Sequence, residues 1–342
     1  MGYIKHKQEL MEKNKMRKLV TSVLVGGGLI VSAVAAPNPA YSADQYTFAV
    51  GSLGGTFGRL GAGLVEIFNQ KQEKSKFSVV PGGGKSNPAR IGTLGADMGF
   101  SFGNLIKNAR AGQSPYKKAY SNLRMVANFY DSCYHQYAAA ELVAGGIKTV
   151  DDIVASKTPM KVSVGKKGTS TEYIASLMMK NLGTSYKGLE ARGYKIVFAG
   201  VSASSRQIRS RGIDFYFHNS GVPNAAGIQA HLSRDLKFLA MSDKTKKGLM
   251  AAGFAKCIIP GGIYKGAPGE THSVGTNGVV IATEKTPTDL VYNFLKITHG
   301  NPKFLGNVHK IFKKWTPKKG SADLGIPKHP GAIKYYKEAG ML

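Results

Sequence analysis

The chain has 342 residues, which at a typical domain size of about 150 residues is enough for roughly two domains with sizeable cores. Its 47 Lys and Arg against 20 Asp and Glu give a formal net charge of +27. The basic residues are spread along the chain, without a dense tract or regularly interleaved aromatic residues. This distribution argues against a nucleic-acid groove and favours a dispersed basic surface that attracts small anions.

The N-terminal segment has the layout of a secretory signal peptide. Basic residues between Lys13 and Lys18 precede an uncharged stretch, 19–36, and small residues follow at 40–43. A membrane anchor is the alternative, but the three consecutive glycines at 26–28 weigh against it. We therefore expect residues 1–43 to be a leader cleaved near 40–43 and the protein to be periplasmic. Without the leader's six Lys/Arg and two Glu, the mature chain keeps a charge of +23.

The first predicted elements alternate between strands and helices. A strand at 45–50 is followed by a helix whose apolar face includes Leu60, Leu64 and Ile67, at helical spacing. A strand at 76–80 and a helix from Pro88 come next, and the segments 96–102 and 123–130 continue the alternation.

A second α/β set follows. A strand at 160–165 precedes a helix with Ile174 and Met178 on one face, which Gly183 ends. Further segments complete the set at 194–200, 205–212, 213–219, 225–232 and 236–241, before a strand at 273–283 and helices at 287–298 and 302–314. This alternation predicts an α/β fold with mostly parallel sheets, arranged as two lobes joined by strands that cross between them.

Loops rich in glycine and hydroxyl residues follow four of the strands. They begin at Gly51, Pro81, Gly165 and His218. Ligands of open α/β sheets bind beyond the carboxyl ends of the strands, so these loops are expected to converge on one cleft. A plain strand-to-helix turn is the alternative for each loop taken alone. The hydroxyl groups expected to hold a carboxylate there are those of Ser52, Thr56, Ser86, Thr169 and Thr171.

The usual nucleotide and enzyme motifs fail in this sequence. A P-loop ending at Gly84-Lys85-Ser86 would need glycine at Val79, and the dinucleotide motif would need a glycine at Leu53. There is no G-x-S-x-G or H-E-x-x-H sequence and no C-x-x-C pair. We therefore expect a binding protein that is not an enzyme, with no cofactor and no metal.

Several segments resemble the TAXI family, the solute receptors associated with TRAP transporters. "GSLGGTFGRLGAGLVEIFNQ" is similar to the family's opening, and the matches then follow in family order. They are "GGKSN", "ADMGFS", "VSVGKKGTSTE", "DFYFHNSGVP", "PGGIYKG" and "HPGAIKYYKEAG". The resemblance spans essentially the whole mature chain. It implies a type II periplasmic-binding-protein fold and the delivery of a small organic anion, such as glutamate or a dicarboxylate, to a TRAP membrane permease.

Carried over to this sequence, the resemblance gives a set of expected ligand-binding residues. They are Ser52, Gly54, Gly55, Thr56, Phe57, Arg59, Gly83, Gly84, Lys85, Ser86, Asn87, Ser101, Phe102, Lys167, Gly168, Thr169, Ser170, Thr171, His218, Asn219, Ser220, Gly221 and Pro223. Of the cations, Arg59, Lys85 or Lys167 would balance a second negative charge, with a solvated surface role as the alternative. Phe57, Gly84, Phe102 and Ser170 depart from the residues common in the family, which alters the hydrogen bonding expected in the cleft.

The expected domain organisation is a first lobe of 44–133 plus 260–342 and a second lobe of 134–259. The crossings are expected around Tyr130–His135 and Lys256–Gly262. Cys133 and Cys257 fall in these segments and either form a disulfide or are ordinary buried residues. We expect a monomer that binds no nucleic acid. The alternative functions are a substrate-binding protein of an ABC importer and a basic surface protein that binds polyanions.

Overall fold

The structure, a computed structural model, describes residues 43–342 apart from Leu53. Residues 1–42 of the predicted leader lie outside this part. Among the helices of the described residues, none is both long enough and apolar enough to cross a bilayer.

Ten strands form one sheet in the described part of the chain. Their bounds are β1 Asp44–Ala49, β2 Ser75–Val80, β3 Met98–Phe102, β4 Leu123–Ala139, β5 Lys161–Ser163, β6 Lys195–Val197, β7 Phe215–Ser220, β8 Leu236–Phe238, β9 Ala255–Ile259 and β10 Thr271–Thr283.

The helices flank this sheet. Their bounds are α1 Thr56–Lys71, α2 Asn87–Gly92, α3 Gly103–Ala111, α4 Ala140–Ala144, α5 Val150–Ala155, α6 Ser170–Asn181, α7 Tyr186–Glu190, α8 Val201–Arg209, α9 Ala225–Ala230, α10 Asp243–Ala251, α11 Thr288–His299, α12 Pro302–Val308, α13 Pro317–Ser321 and α14 Pro330–Glu338, with a 3-10 helix at Lys310–Lys314.

The sheet is mixed rather than mostly parallel. Its order is β2-β1-β3-β10-β4-β7-β5-β6, with β8 beside β4 and β9 beside β10. The outer pairs β1–β2, β1–β3, β5–β6 and β5–β7 are parallel, as predicted. The two long strands β4 and β10 are antiparallel to each other and to their other neighbours. The α/β class is therefore confirmed, while the central pairings differ from the prediction.

Strands β4 and β10 connect the two sides of the sheet. Residues 123–130 of β4 pair with 278–283 of β10 beside β3, and residues 133–138 of β4 pair with β7. Because these two strands run on without a break, the connection between the sides is made of hydrogen-bonded sheet. The expected return segment Lys256–Gly262 lies partly in β9, which pairs with β10. The predicted lobe boundaries remain a prediction.

Cys133 in β4 and Cys257 in β9 form a disulfide, with their Cα atoms 5.7 Å apart. The bond passes over β10, which lies between the two strands. Gly275 of β10 sits under it, and a Cβ at this position would overlap the carbonyl oxygen of Ser132 and lie 3.1 Å from Cys257 Cβ. Only glycine therefore lets the three strands approach this closely.

The amphipathic pattern of α1 explains how the β1–β3 side forms its core. Leu60, Leu64, Ile67 and Phe68 are all buried, as their helical spacing predicts. Phe68 packs edge-on against Phe77 of β2, with ring centroids 5.1 Å apart. This packing fixes α1 on the sheet and leaves its first turn at the carboxyl ends of the strands.

Some elements differ from the prediction for identifiable reasons. His218, Asn219 and Ser220, expected in a loop, belong to β7 and pair with His135, Tyr134 and Cys133 of β4. The predicted helix 302–314 is interrupted at His309, whose backbone is extended (φ −162°, ψ 138°). Strand β9 and helix α10 were not predicted.

Candidate functional site

A cavity of about 60 Å³ lies where the loops after β1, β2, β5 and β6 meet the end of β7. The predicted residues that line it are Ser52, Gly55, Thr56, Phe57, Gly83, Gly84, Phe102, Thr169, Ser170, Thr171, His218 and Asn219. The structure thus brings residues from all four predicted segments to one place.

Three helices begin at this cavity. Gly55 and Thr56 start α1, Thr169 and Ser170 start α6, and Gly200 and Val201 start α8; all of them line the cavity. The first N–H groups of a helix have no partner inside it and carry its positive dipole end. Neither α1 nor α8 has a side-chain cap for these groups. The convergence of these three helix starts creates an environment that favours an anion.

Glycines let the loops around the cavity approach one another. A Cβ on Gly83 would overlap the carbonyl oxygen of Gly168, and that oxygen accepts a hydrogen bond from the Ser86 N–H at 3.1 Å. Gly168 itself has φ +84°, a conformation that favours glycine. The loop after β2 therefore touches the loop after β5 directly, backbone against backbone.

One wall of the cavity is aromatic. The ring of Phe57 stacks on Phe100 at 4.5 Å and lies 5.0 Å from Phe102 and 5.8 Å from Tyr130. Tyr130 is almost fully buried, and this burial raises the pKa of its phenol above the ordinary value. The wall offers apolar surface for the carbon skeleton of a ligand.

The opposite wall carries hydrogen-bonding side chains that are already organised. Asn219 N–H donates to Thr171 Oγ1 at 3.1 Å, and Asn219 Nδ2 donates to Ser170 Oγ at 3.1 Å. The hydroxyl groups of Thr56 and Ser220 form a hydrogen bond of 2.9 Å at the edge of the cavity. Burial lowers the pKa of His218 to about 3, so its imidazole is neutral at pH 7.

The three predicted cations lie outside the cavity lining. Lys85 Nζ donates to Glu172 Oε2 at 2.9 Å, and Lys167 Nζ lies 4.7 Å from the centroid of the Phe198 ring. Arg59 instead lines a smaller pocket beside the cavity, together with Gly54. None of the three is therefore in direct contact with the main cavity.

Other predicted residues shape the loops rather than line the cavity. Asn87 is buried; its Nδ2 donates to the carbonyl oxygens of Val50 and Phe100 at 2.8 Å, and its Oδ1 accepts from Gly83 N–H. Ser101 Oγ donates to the Gly84 carbonyl at 2.8 Å, and Ser86 Oγ donates to that of Gly83. Gly168, Ser220, Gly221 and Pro223 are also absent from the lining.

Some lining residues were not predicted. They are Gly51, Tyr130, Gly165, Lys166, Ala199, Gly200, Val201 and Phe217. The most informative are Gly200 and Val201, because they mark the start of α8. The sequence predicted the corresponding segment from residue 205, whereas the helix begins at Val201. The serine-rich first turn, with Ser204 hydrogen-bonded to Ser163 at 2.8 Å, hid the helical pattern.

Solved structures of several binding proteins are similar to this chain. PhnD1 from Prochlorococcus marinus (MIT 9301), in complex with methylphosphonate, has a TM-score of 0.51 at 10% identity, covering 87% of this chain and 99% of that chain. The alkanesulfonate-binding protein SsuA from Xanthomonas axonopodis pv. citri, bound to MOPS, has a TM-score of 0.42 at 13% identity, covering 86% and 85%.

A third structure is the binding protein component of an ABC phosphonate transporter from Pseudomonas aeruginosa, with a TM-score of 0.46 at 8% identity, covering 80% of each chain. The predicted type II periplasmic-binding-protein fold is confirmed. A family model matches residues 48–340, nearly all of the described part of the chain. The chain therefore belongs to the NMT1-like family.

Proposed function

We propose that the protein is an extracytoplasmic solute-binding receptor that captures a small organic anion and delivers it to a membrane permease. The observation that carries the proposal is the convergence of the first turns of α1, α6 and α8 on one small cavity. Each turn directs the positive dipole end of its helix toward a bound anion, and the first N–H groups of α1 and α8 have no side-chain cap. Among the described residues that line the cavity there is no Asp or Glu to oppose this charge.

The cavity supports binding rather than catalysis. Its hydroxyl and amide groups on the β7 side are bonded to one another, as Asn219 is to Ser170 and Thr171. A general base poised near neutral pH is the usual mark of acid–base catalysis, whereas His218 has a pKa of about 3. Fixed donors with a neutral imidazole are suited to holding a ligand without transferring its protons.

A carboxylate is the ligand class that we propose, with glutamate or a dicarboxylate as examples. The donors at the helix starts match its oxygens, and the aromatic wall of Phe57 and Phe102 matches a short carbon chain. The cavity volume of about 60 Å³ requires the ligand to be small or the loops to part on binding.

The permease that we propose is of the TRAP type, driven by an ion gradient. Support comes from the motif resemblance to TAXI receptors, which spans residues 51–340. Export is supported by the basic, apolar and small-residue order of residues 13–43. Uptake by cells that carry the receptor and its permease would distinguish the alternatives, since collapse of the ion gradient stops TRAP transport and depletion of ATP stops an ABC importer.

Thermal unfolding of the purified protein tests ligand binding. A ligand that binds only the folded state at 100 times its Kd stabilises it by about 2.7 kcal/mol, so carboxylates should raise Tm while acetamide and ATP should not. Ser170→Ala should weaken carboxylate binding about tenfold, because it removes a hydroxyl at the cavity. Ser176→Ala, on the same helix but bonded within it to the Tyr173 carbonyl, is the matched control. A rise in Tm with ATP alone would refute the proposal.

A further inference from the structure

A second pocket of about 30 Å³ adjoins the cavity. Gly55, Thr56, Val201 and His218 line both spaces, so the two share a common wall. Arg59 and His309 line the second pocket and do not line the first. A ligand that extends past Thr56 would therefore meet these two side chains next.

The position of Arg59 on α1 directs it to this pocket. It lies three residues after Thr56, so both side chains are on one face of the helix. A cation in the first turn of a helix is opposed by the helix dipole, which makes this an unfavourable place for a purely structural arginine. Arg59 is exposed, and no ion pair within residues 43–342 includes it.

His309 also lines this pocket, and its hydrogen bonding defines its tautomer. The backbone N–H of Ile311 donates to His309 Nδ1 at 3.1 Å. Since an amide N–H can only donate, Nδ1 is the acceptor and the imidazole proton resides on Nε2. Burial, followed by the nearby charges of Arg59 and Lys310, lowers the pKa of His309, which keeps the ring neutral at pH 7.

The other predicted cations are placed differently. Lys85 is paired with Glu172, and Lys167 lies over the Phe198 ring; both line a separate pocket with Tyr186 and Glu190. That pocket is lined by two carboxylates, Glu172 and Glu190, as well as by three lysines, so its cations have acidic neighbours, whereas the pocket of Arg59 has no Asp or Glu in its lining. Of the three cations expected to hold a second negative charge, Arg59 alone lines a pocket that shares lining residues with the cavity in the described part of the chain.

We infer that Arg59 and His309 form a second anion subsite, which binds the distal acidic group of a ligand whose first acidic group lies at the starts of α1, α6 and α8. The inference rests on the proposed function and narrows its ligand class to diacids. The planar guanidinium matches a carboxylate with two N–H donors, and the His309 Nε2–H adds a third. The pair is therefore the determinant of selectivity for a diacid over a monoacid.

The test compares acids of equal carbon number. Binding of malonate, succinate and glutarate is measured by calorimetry beside propionate, butyrate and pentanoate. The wild-type protein should bind at least one diacid tenfold or more tightly than its monoacid. Arg59→Gln should remove that preference, lowering diacid affinity at least tenfold and changing monoacid affinity by less than about twofold.

Two further variants keep the test falsifiable. His309→Asn retains an oxygen that accepts the Ile311 N–H at the start of the 3-10 helix but loses the Nε2–H donor, so diacid affinity should fall several-fold. Lys71→Gln removes one positive charge from the other end of α1 and should leave the preference intact. Equal loss of diacid and monoacid binding in Arg59→Gln, or an unchanged preference, would overturn the subsite alone. A wild-type protein that binds none of the six acids would overturn the proposed function and the subsite with it.

Discussion

Lys85 and Glu172 form an ion pair, with Lys85 Nζ 2.9 Å from Glu172 Oε2, although they lie 87 positions apart in the sequence. Lys85 belongs to the loop after β2 and Glu172 to the first turn of α6. The side chains are only 29% and 10% exposed. Together with the Ser86 N–H bond to the Gly168 carbonyl, the pair holds the loop after β2 against the start of α6 at the edge of the cavity.

Replacing Lys85 by Met should destabilise the protein by about 1–3 kcal/mol. The substitution leaves the largely buried Glu172 carboxylate without its partner, and an unpaired charge away from water is costly. Lys265→Met is the matched control, because its pair with Asp235 has side chains that are 74% and 76% exposed and should contribute little. Urea unfolding measures the loss in unfolding free energy of both variants. Equal losses in the two variants would contradict a special role for the Lys85 pair.

Gly83→Ala should weaken ligand binding by tenfold or more. The added methyl group would overlap the Gly168 carbonyl oxygen, so the two loops would have to separate and the Ser86 N–H bond would break. Gly269→Ala is the control, because a Cβ there meets no atom within 4 Å and its φ is not positive. Calorimetry with the best carboxylate from the thermal screen gives the affinities. Wild-type affinity in Gly83→Ala would show that the loops are not in contact when ligand is bound.

Much of the fold follows from periodicity, and the exceptions have physical causes. The sequence predicts helix α1 because Leu60 and Leu64, four positions apart, lie on the face that is buried in the core. Strand β4 was expected only to 130 but continues to 139. The second part was missed because it contains polar residues, although it is buried in the middle of the sheet. Ser132 Oγ donates to the Thr276 carbonyl and Gln136 Nε2 donates to the Leu239 carbonyl, contacts that no alternation pattern shows.

The candidate site was predictable where loops combine glycine with hydroxyl residues. Thr56 and Thr169 lie at the cavity as expected, because both stand at a helix start that follows a strand. Gly200 was missed because the serine-rich first turn of α8 hid the start of the helix that follows it. His309 lies far along the sequence, and its approach to Arg59 depends on the tertiary packing of α12 against α1, which local sequence does not encode.

Removing the disulfide should destabilise the protein without abolishing ligand binding. The bond joins residues 124 positions apart, and removal of a native disulfide costs about 2–5 kcal/mol. The double variant Cys133→Ser, Cys257→Ser should lose this stability in urea unfolding, and dithiothreitol should reproduce the loss in the wild type but not in the variant. Affinity should change less than about twofold, since neither cysteine lines the cavity. A wild-type Tm that is insensitive to the reductant under unfolding conditions would contradict the prediction.

The protein should lose stability as the pH falls below about 6.5, because buried histidines resist protonation in the folded state. Burial lowers the pKa of His299 to about 3, and its ring lies between Trp315 and Tyr335, with centroids 4.1 and 5.4 Å away. The unfolded state therefore binds a proton between pH 6.5 and 3 that the folded state does not, and each pH unit in this window costs about 1.4 kcal/mol per such histidine. His299→Phe, which cannot titrate, should reduce the slope of unfolding free energy between pH 6 and pH 4. Tyr336→Phe, a neighbouring aromatic change that removes no group titrating in this range, should keep the wild-type slope; an unchanged slope in His299→Phe would show that His299 is already protonated in the folded protein.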